Sequence, residues 1–383
     1  MKKIALISSH PIQYNAPLFA LMAKEPKIDL MVFYTWEESA LGQKYDPDFG
    51  KVIDWDIPLL DGYNYTFLKN TSKEPGSHHF KGIINSTLNK EIEVWGPDVV
   101  WVWGWSFDSH LKAMRYFKGK LPVWFRGDST LLDEPEGFSF KKIARRVFLK
   151  WVYTHVDKVF YVGTHNKNYY LAHGIKYSQL VEAPHAIDNN RFATDKKEYQ
   201  TILNELLVTL DFHRTDIVLL FAGKLELKKN PFFILELAKR IKDSNFKFLI
   251  VGNGQLEKEI KMASVNDNRI KFLDFQNQTM MPVLYRLASF FVLPSTGPGE
   301  TWGLALNEAL ASGIPVIASD KCGGAIDLLN SSNGYLLKID DPDFKALEYW
   351  IEQFDIENFK NQNAIFLDKF SYSKIVKQVI CNY

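Results

Sequence analysis

The sequence has little of what marks several protein classes. Its 383 residues include only two cysteines, Cys322 and Cys381, which form neither a disulfide framework nor a metal-ligand pattern. No stretch reaches the roughly 20 apolar residues of a membrane span. The apolar run Ile4–Ile7 is too short for the core of a signal peptide. A formal net charge of +1 gives no support for bulk nucleic-acid binding. These absences favour a reduced, cytoplasmic compartment.

Motifs for cofactors and metals are also missing. No Gly-x-Gly-x-x-Gly opens the chain's first β-α-β unit, so we expect no dinucleotide cofactor. The triplets Asp46-Pro47-Asp48 and Asp54-Trp55-Asp56 lie in turn-rich sequence, and we interpret them as solvated turns. Ser77-His78-His79 has no partner at metal-ligand spacing. We therefore predict neither a resident cofactor nor a metal site.

What the sequence contains is an alternation of short apolar runs and amphipathic segments, the pattern of an α/β protein. A strand near residues 4–7, a helix at 16–23 and a strand at 29–34 form an opening β-α-β unit. At 383 residues the chain is too long for one ordinary core. We place an N-terminal domain at residues 1–190, a second domain at 191–365 and a terminal helix at 366–383.

The stretch Glu300–Ser319 predicts a helix between a loop and a buried strand. Gly303 precedes an apolar-periodic segment, and Gly313 followed by Pro315 is placed to end it. The upstream apolar run at 290–293 is typical of a buried parallel strand. The start of this helix therefore lies at the carboxyl end of a strand, where open α/β sheets bind ligands.

Two glutamates, Glu300 and Glu308, lie eight positions apart in this stretch. At helical rise they would be separated by ~12 Å, about the reach from a ribose across a pyrophosphate to a sugar. Carboxylates accept hydrogen bonds from sugar hydroxyls, and a helix start between them offers N–H groups to phosphates. Two solvated glutamates on an amphipathic helix are the alternative interpretation.

The small, acidic and apolar residues of this region follow a fixed order over about thirty positions: Pro294-Ser295, Glu300, Gly303, Glu308-Ala309, Ala311, Gly313, Pro315-Val316-Ile317-Ala318 and Gly323-Gly324. This order closely resembles the donor-binding signature of retaining glycosyltransferases of the GT-B fold, glycosyltransferase family 4 (group 1). The resemblance implies two Rossmann-like domains facing each other across a cleft, with the terminal helix packing back on the first domain. It also implies that Glu300 contacts the donor sugar and Glu308 the nucleotide ribose, with Gly303 in the same donor site.

The second domain adds three candidate donor-binding residues. Lys224 and Lys229 flank a turn after a predicted strand at 217–221, where fixed cations would stabilise charge on a departing nucleotide diphosphate. The resembling motif usually has arginine at the position of Lys224, and lysine lacks the bidentate fork of arginine. Gly252 begins the turn after the strand at 248–251, which we place near the nucleotide. Exposed surface lysines are the alternative interpretation.

The first domain offers four candidates in loops at its strand ends: His10, Trp105, Arg126 and Asp128. In the resembling family a histidine near the reaction centre commonly stands at the position of Asp128. We predict that Asp128 takes a catalytic role, as a base or as a hydrogen-bond acceptor for a sugar hydroxyl. The other three are candidate acceptor or cleft residues. Packing roles for His10 and Trp105, and a structural ion pair between Arg126 and Asp128, are the alternatives.

Residues 138–156 predict a basic amphipathic helix, with five cations among apolar side chains. A solvated helix face is one interpretation. Docking to an anionic membrane surface is the other, since family relatives often glycosylate lipid-linked acceptors. We therefore keep peripheral membrane contact through this helix as a hypothesis.

The combined prediction is a retaining, hexosyl-type glycosyltransferase that uses a nucleotide-diphosphate sugar and a saccharide or lipid-linked acceptor. We expect a role in cell-surface polysaccharide or glycolipid synthesis, in the cytoplasm or peripherally at the inner face of the membrane, without nucleic-acid partners. Asp128, Glu300 and Lys229 are the predicted catalytic residues, and no metal is required. A nucleotide-sugar epimerase and a non-catalytic nucleotide-sugar-binding partner remain the alternatives.

Overall fold

The computed structural model describes residues 1–36, 44–46, 51–132, 134, 137–356, 359 and 368–383. Pro47 and Asp48 of the first acidic triplet lie outside these residues. The chain divides into two compact units. The first unit comprises Met1–Lys44, Pro58–His185 and Tyr372–Tyr383, and the second unit comprises Tyr45–Ile57 and Ala186–Ser371.

The chain up to His185 supplies the strands of the first sheet and a separate two-stranded sheet formed by β3 and β4. The strands are β1 (Lys2–Ser8), β2 (Ile28–Tyr34), β3 (Lys44–Asp46), β4 (Lys51–Ile53), β5 (Asn64–Phe67), β6 (Val99–Trp103), β7 (Val123–Arg126), β8 (Lys158–Tyr161) and β9 (Leu180–Glu182). The helices of this part are α1 (Ala16–Ala23), α2 (Leu88–Trp95), α3 (Asp108–Phe117), α4 (Phe140–Tyr153) and α5 (Thr164–Ala172).

The first sheet has seven parallel strands in the order β5-β2-β1-β6-β7-β8-β9. Its central strands are buried on both faces, so they consist of continuous apolar runs. In β1, for example, Ile4–Ile7 are fully buried. The order reverses between β1 and β6, which defines the switch point of a doubly wound sheet. Loops at the carboxyl ends of these strands therefore meet at one edge.

The second part of the chain supplies six strands: β10 (Ile217–Ala222), β11 (Phe246–Val251), β12 (Ile270–Leu273), β13 (Phe290–Leu293), β14 (Val316–Ser319) and β15 (Gly334–Leu337). Its helices are α6 (Asn189–Ala193), α7 (Lys197–Leu210), α8 (Phe232–Arg240), α9 (Glu257–Ala263), α10 (Met281–Leu287), α11 (Leu304–Ala311), α12 (Ala325–Leu328) and α13 (Phe344–Gln353). The last helix, α14 (Tyr372–Cys381), belongs to the first unit, where Tyr372 Oη donates to the carbonyl oxygen of Tyr14 at 2.8 Å.

The second sheet repeats the arrangement of the first, with six parallel strands in the order β12-β11-β10-β13-β14-β15. Its switch point lies between β10 and β13. On one face of this sheet α11 packs against α6 and α10. The predicted α/β class with two Rossmann-like sheets is confirmed.

Candidate active site

The carboxyl ends of β10 and β13 are neighbours at the switch point of the second sheet. The loop after β10 contains a 3-10 turn at Leu227–Lys229, and the loop after β13 begins at Pro294. The two loops touch, because the N–H of Thr296 donates to the carbonyl oxygen of Lys228 at 2.8 Å. Crevices at such positions bind ligands in open α/β sheets.

Glu300 and Lys229 form an ion pair across these two loops. The Glu300 carboxylate also accepts a hydrogen bond from Oγ of Ser295 at 2.9 Å. The side chains of Lys229 and Glu300 are only 23% and 12% exposed. Two predicted catalytic residues that lie 71 positions apart in the sequence are thus brought together at the ligand-binding edge.

The backbone around Glu300 is fixed by the loop after β14. The N–H groups of Gly323 and Gly324 donate to the carbonyl oxygens of Glu300 and Trp302, each at 2.9 Å. A Cβ on Gly324 would lie 2.7 Å from the Trp302 ring, so only glycine permits this packing. Gly303, just before α11, has φ of 86°, a left-handed conformation that glycine adopts without strain. The predicted Gly303 and Gly323-Gly324 therefore shape the loop that carries Glu300.

Glu308 lies in the second turn of α11, and only 2% of its surface is exposed. The hydroxyl of Tyr285 on α10 donates to its Oε2 at 2.8 Å, which partly offsets the cost of burying a carboxylate. Because α11 begins only at Leu304, helical rise does not apply to the whole interval from Glu300. The premise of the ~12 Å estimate was therefore wrong. The sequence pattern gave no signal for Tyr285.

Gly252 lets the loops after β10 and β11 cross at very short range. It has φ of 134°, and an added Cβ would lie 2.0 Å from the carbonyl oxygen of Gly223. The N–H of Leu225 donates to the carbonyl oxygen of Asn253 at 2.9 Å. Lys224 lies between the two residues of the β10 loop that make these contacts. The crossing therefore fixes the backbone from which Lys224 projects.

A buried thiol lies close to Glu300. Burial raises the pKa of Cys322 to about 12, and the negative charge of Glu300 acts in the same direction. The Cys322 Sγ lies 3.6 Å from the carbonyl oxygen of Leu293. The thiol is therefore protonated at neutral pH and fills space without acting as a nucleophile.

In the first unit, Arg126 ends β7 and is 4% exposed. Its Nη1 and Nη2 donate to the carbonyl oxygens of Ala183 and Pro184 at 2.6 and 3.3 Å. Burial lowers the pKa of Arg126 to about 10, so the guanidinium keeps its charge at neutral pH. These contacts tie the chain after β9 to β7. Arg126 therefore supports the backbone of this segment, and its acceptor-side role stays a prediction.

Asp128 is half exposed and lies beside His185. The Asp128 Oδ2 and His185 Nε2 atoms are 3.9 Å apart, and the side chains are 52% and 21% exposed. Burial lowers the pKa of His185, although the hydrogen bond with Asp128 acts in the opposite direction. His185 was not among the predicted site residues. It lies three residues after the end of β9.

His10 follows β1 and contacts residues of its own loop and of the β2 end. Its Nδ1 lies 3.0 Å from Oγ of Ser9, and its ring meets that of Trp36 edge to face with centroids 5.4 Å apart. A second histidine, His110 on α3, contacts the residue after β2: its Nε2 lies 2.8 Å from Oγ1 of Thr35. Burial lowers the pKa of His110 to about 4, so its ring is neutral at pH 7.

Trp105 lies beyond β6 and packs against α4. Its ring meets Phe148 edge to face with centroids 5.6 Å apart. With Leu111 and Trp151 these rings line an open groove of about 440 Å³. Trp105 therefore lines this groove together with side chains of α3 and α4. Asp128 lies beside His185.

Within the described ranges, no group of three or more histidine, cysteine, aspartate or glutamate side chains could hold a metal ion. In the same part of the chain, no helix has both the length and the apolar content to cross a bilayer. Independence from metal stays a prediction.

Comparison with known proteins gives one family and a set of distant relatives. The model of group 1 glycosyl transferases matches residues 208–359, most of the second unit. The chain is 26% identical over 241 residues to the Escherichia coli UDP-Gal:alpha-D-GlcNAc-diphosphoundecaprenol alpha-1,3-galactosyltransferase, covering 59% of this chain and 60% of that protein. It is 28% identical over 173 residues to the Mycobacterium tuberculosis phosphatidyl-myo-inositol mannosyltransferase, covering 44% and 42%. The matches thus span less than two thirds of these relatives.

Solved structures match over nearly the whole chain. The Anabaena HepE protein in complex with UDP and glucose has a TM-score of 0.68 at 18% identity, covering 99% of this chain and 98% of that one. The catalytic domain of starch synthase IV from Arabidopsis thaliana, bound to ADP and acarbose, has a TM-score of 0.70 at 12% identity, with coverage of 99% and 98%. Likeness at this identity shows the fold. The chain therefore resembles the group 1 glycosyl transferases over residues 208–359 and has the GT-B fold of these solved structures.

Proposed function

We propose that the protein transfers a hexosyl group from a nucleotide-diphosphate sugar to a saccharide or lipid-linked saccharide, with retention of anomeric configuration. The observation that carries the proposal is the Glu300–Lys229 ion pair at the β10/β13 switch point. Glu308, buried on the next helix and held by Tyr285, supplies a second acidic group for hydroxyls. Membership of glycosyltransferase family 4 is part of this proposal.

Each charged group has a role that its surroundings support. Lys229 and Lys224 would face the diphosphate, and Glu300 and Glu308 would accept hydrogen bonds from sugar and ribose hydroxyls. In the unliganded protein, Glu300 and Lys229 satisfy each other. We expect the donor to replace this pairing. Phosphate oxygens would then bind the ammonium group of Lys229, and a sugar hydroxyl would donate to the carboxylate of Glu300.

The proposed reaction is a displacement on one face of the donor sugar. The bond between the anomeric carbon and the β-phosphate oxygen breaks, and the acceptor oxygen bonds the same carbon on the same face. The acceptor proton passes to the departing phosphate oxygen, so that charge and atoms balance without a metal. Lys229 stabilises the charge that develops on this phosphate. A role for Asp128 in orienting the acceptor hydroxyl is part of this proposal.

The two curated relatives bear names that specify lipid-linked acceptors, a diphosphoundecaprenol and a phosphatidyl-inositol. In this chain α4 presents apolar side chains that could contact a lipid surface: Phe140 and Val147 are 82% and 64% exposed. Lys141 and Arg145 are exposed on the same helix. We propose that this helix docks peripherally on an anionic membrane surface and brings the enzyme to a lipid-linked acceptor.

Sedimentation with vesicles tests the membrane part. We expect the protein to pellet with phosphatidylglycerol vesicles and not with phosphatidylcholine vesicles. A Lys141→Glu/Arg145→Glu variant should stay in the supernatant, while Lys258→Glu, an exposed charge reversal on α9, should pellet like the wild type. Equal pelleting of the α4 variant would end the membrane proposal.

Product analysis tests the reaction itself. Purified protein is incubated with a panel of nucleotide sugars, with and without saccharide and lipid-linked saccharide acceptors, and the products are examined by NMR. The proposal expects a new glycosidic linkage with the anomeric configuration of the donor. Inversion would contradict retention. A changed donor sugar without acceptor would indicate an epimerase, and binding without turnover would indicate a non-catalytic partner.

A further inference from the structure

A short segment from the N-terminal part of the chain packs on the second unit. Residues Tyr45–Ile57 group with that unit, although the chain on both sides groups with the first. The Asp56 carboxylate accepts hydrogen bonds from the N–H of Thr279, with Oδ2 at 3.1 Å, and from the Thr279 hydroxyl. Asn277 Nδ2 donates to the carbonyl oxygen of Asp54 at 2.5 Å. The segment is thus pinned on the loop that precedes α10.

These two contacts hold Trp55 against Phe275. The rings meet edge to face with centroids 6.4 Å apart, and both side chains are partly exposed. Phe275 follows β12, and its N–H donates to Oδ1 of Asn253 at 2.8 Å. Asn253 also donates to Oδ1 of Asp274 at 3.0 Å. The aromatic pair therefore lies on a braced part of the carboxyl edge of the second sheet.

The Trp55–Phe275 pair lies where the base of a nucleotide would be expected from the positions of Lys229, Glu300 and Glu308. The Lys229–Glu300 pair marks the diphosphate region at β10 and β13, and Glu308 with Tyr285 marks the next region, over α11 and α10. Tyr285 lies four residues, roughly 6 Å of helical rise, from the start of α10. The end of β12 is two strands, roughly 10 Å, from β10.

A nucleoside diphosphate carries its groups in a fixed order: diphosphate, ribose, base. With the first two placed as above, the base extends toward the start of α10 and the end of β12. An aromatic side chain at that position can stack on any nucleobase, because every base offers a π face. We propose that Trp55 and Phe275 form the aromatic wall of the nucleobase pocket, with Trp55 supplied by a segment from the N-terminal part of the chain. This inference rests on the proposed function of the same site.

Calorimetric binding of UDP, GDP, ADP and inorganic diphosphate to the full chain tests the inference. For the nucleoside diphosphate that binds best to the wild type, Trp55→Ala should weaken affinity on the order of tenfold. Affinity for inorganic diphosphate should not change, since the proposal assigns Trp55 to the base and not to the diphosphate. Trp55→Phe, which retains a ring, should recover most of the loss. Tyr349→Ala, which removes an exposed ring of α13, is the matched control and should bind like the wild type.

The outcomes separate the two proposals. If the wild type binds no nucleoside diphosphate, the proposed function fails and this inference fails with it. If the wild type binds one and Trp55→Ala binds it equally well, the donor site stands and the role of Trp55 is refuted. An equal loss of affinity for nucleoside diphosphate and for inorganic diphosphate would also overturn the inference, because it would show a general disturbance and not a base contact.

Discussion

The two sheets share one strand order, yet they use their ligand-binding edges differently. In the second unit, Glu300 and Lys229 are charged partners held at the switch point by short loops. In the first unit, Arg126 at the end of β7 and His110 at the start of α3 direct polar atoms to the backbone carbonyl oxygens of Ala183 and Gly104. Asp128 is the exception, with half of its side chain exposed.

This difference shows that topology supplies the place for a ligand but not the chemistry. The second edge concentrates preorganised charge, which suits a donor whose phosphates and hydroxyls are always the same. The first edge is held by neutral or buried groups, which leaves recognition to a few exposed side chains. We therefore expect substitutions at the second edge to affect transfer more than substitutions at the first.

The largest effect is expected from Lys229→Ala. It removes the cation proposed to stabilise the departing diphosphate and leaves Glu300 without this ion pair. We expect the turnover rate to fall about 10²- to 10³-fold. Lys228→Ala removes an adjacent lysine that pairs with Glu226 at 3.2 Å, and should change the rate by less than about twofold. Steady-state kinetics of the two variants, each checked by circular dichroism, makes the comparison. Similar rates for both would contradict the donor site.

Acid should loosen the first unit before the second. Burial lowers the pKa of His110 to about 4, and it also lowers the pKa values of His173 and His185, all in the first unit. Histidines of the unfolded chain take up protons first, so stability present above pH 6.5 is lost as the pH falls toward 4. For His110 alone, the difference between 6.5 and about 4 corresponds to roughly 3 kcal/mol.

The second unit contains carboxylates whose contribution to stability is lost only at lower pH. Hydrogen bonds from Lys261 and Arg269 lower the pKa values of Glu257 and Asp267. Their contribution is lost only as the pH falls below the ordinary values of 4.5 and 3.8. Hydrogen exchange between pH 7.5 and 4.5, corrected for intrinsic rates, should show peptides of the first sheet losing protection first. Simultaneous loss in both sheets would contradict this order.

Glu308→Ala should mainly weaken donor binding. It removes the buried carboxylate proposed to hold the ribose and leaves the Tyr285 hydroxyl without this acceptor. We expect the dissociation constant of a nucleoside diphosphate to rise on the order of 10- to 100-fold. Glu259→Ala on α9 is the matched control. Calorimetry that finds equal affinities in the two variants would remove Glu308 from the site.

The smallest effect is expected from Asp128→Asn. If Asp128 only orients the acceptor through one hydrogen bond, its loss should lower acceptor turnover about fivefold. Asp61→Asn, at another exposed acid of the first unit, should have no effect. Kinetics with varied acceptor concentration measures both. A loss above about 100-fold would instead make Asp128 a general base, and the contrast between the two edges would fail.

The fold and the shape of the Glu300–Ser319 stretch were predictable because their signals are local. The apolar spacing that predicts a helix at 16–23 is matched by α1, and Gly313, just after α11, has φ of 78°. Glu300 and Glu308 stand in one short stretch with a fixed order of small residues. Such patterns are readable because each depends on neighbours within a few turns of chain.

The remaining contacts depend on residues that are distant in sequence. Tyr285 reaches Glu308 from 23 positions away, and Asp56 reaches Thr279 from 223 positions away. Neither spacing follows from periodicity. Arg126 has the sequence position of a ligand contact, but only the packing of the chain after β9 shows that its donors are used by backbone carbonyls. The domain boundaries at residues 190 and 365 stay predictions.

The most direct test of the donor site is thermal stabilisation of the protein by nucleotide sugars. A ligand that binds the native state raises its stability by about 2.7 kcal/mol at a concentration 100 times its dissociation constant. We predict that one nucleotide sugar raises the melting temperature of the wild type and of Lys228→Ala. The same ligand should have little effect on Lys229→Ala and Glu308→Ala. No response of the wild type to any nucleotide sugar, or equal responses in all four proteins, would contradict the account.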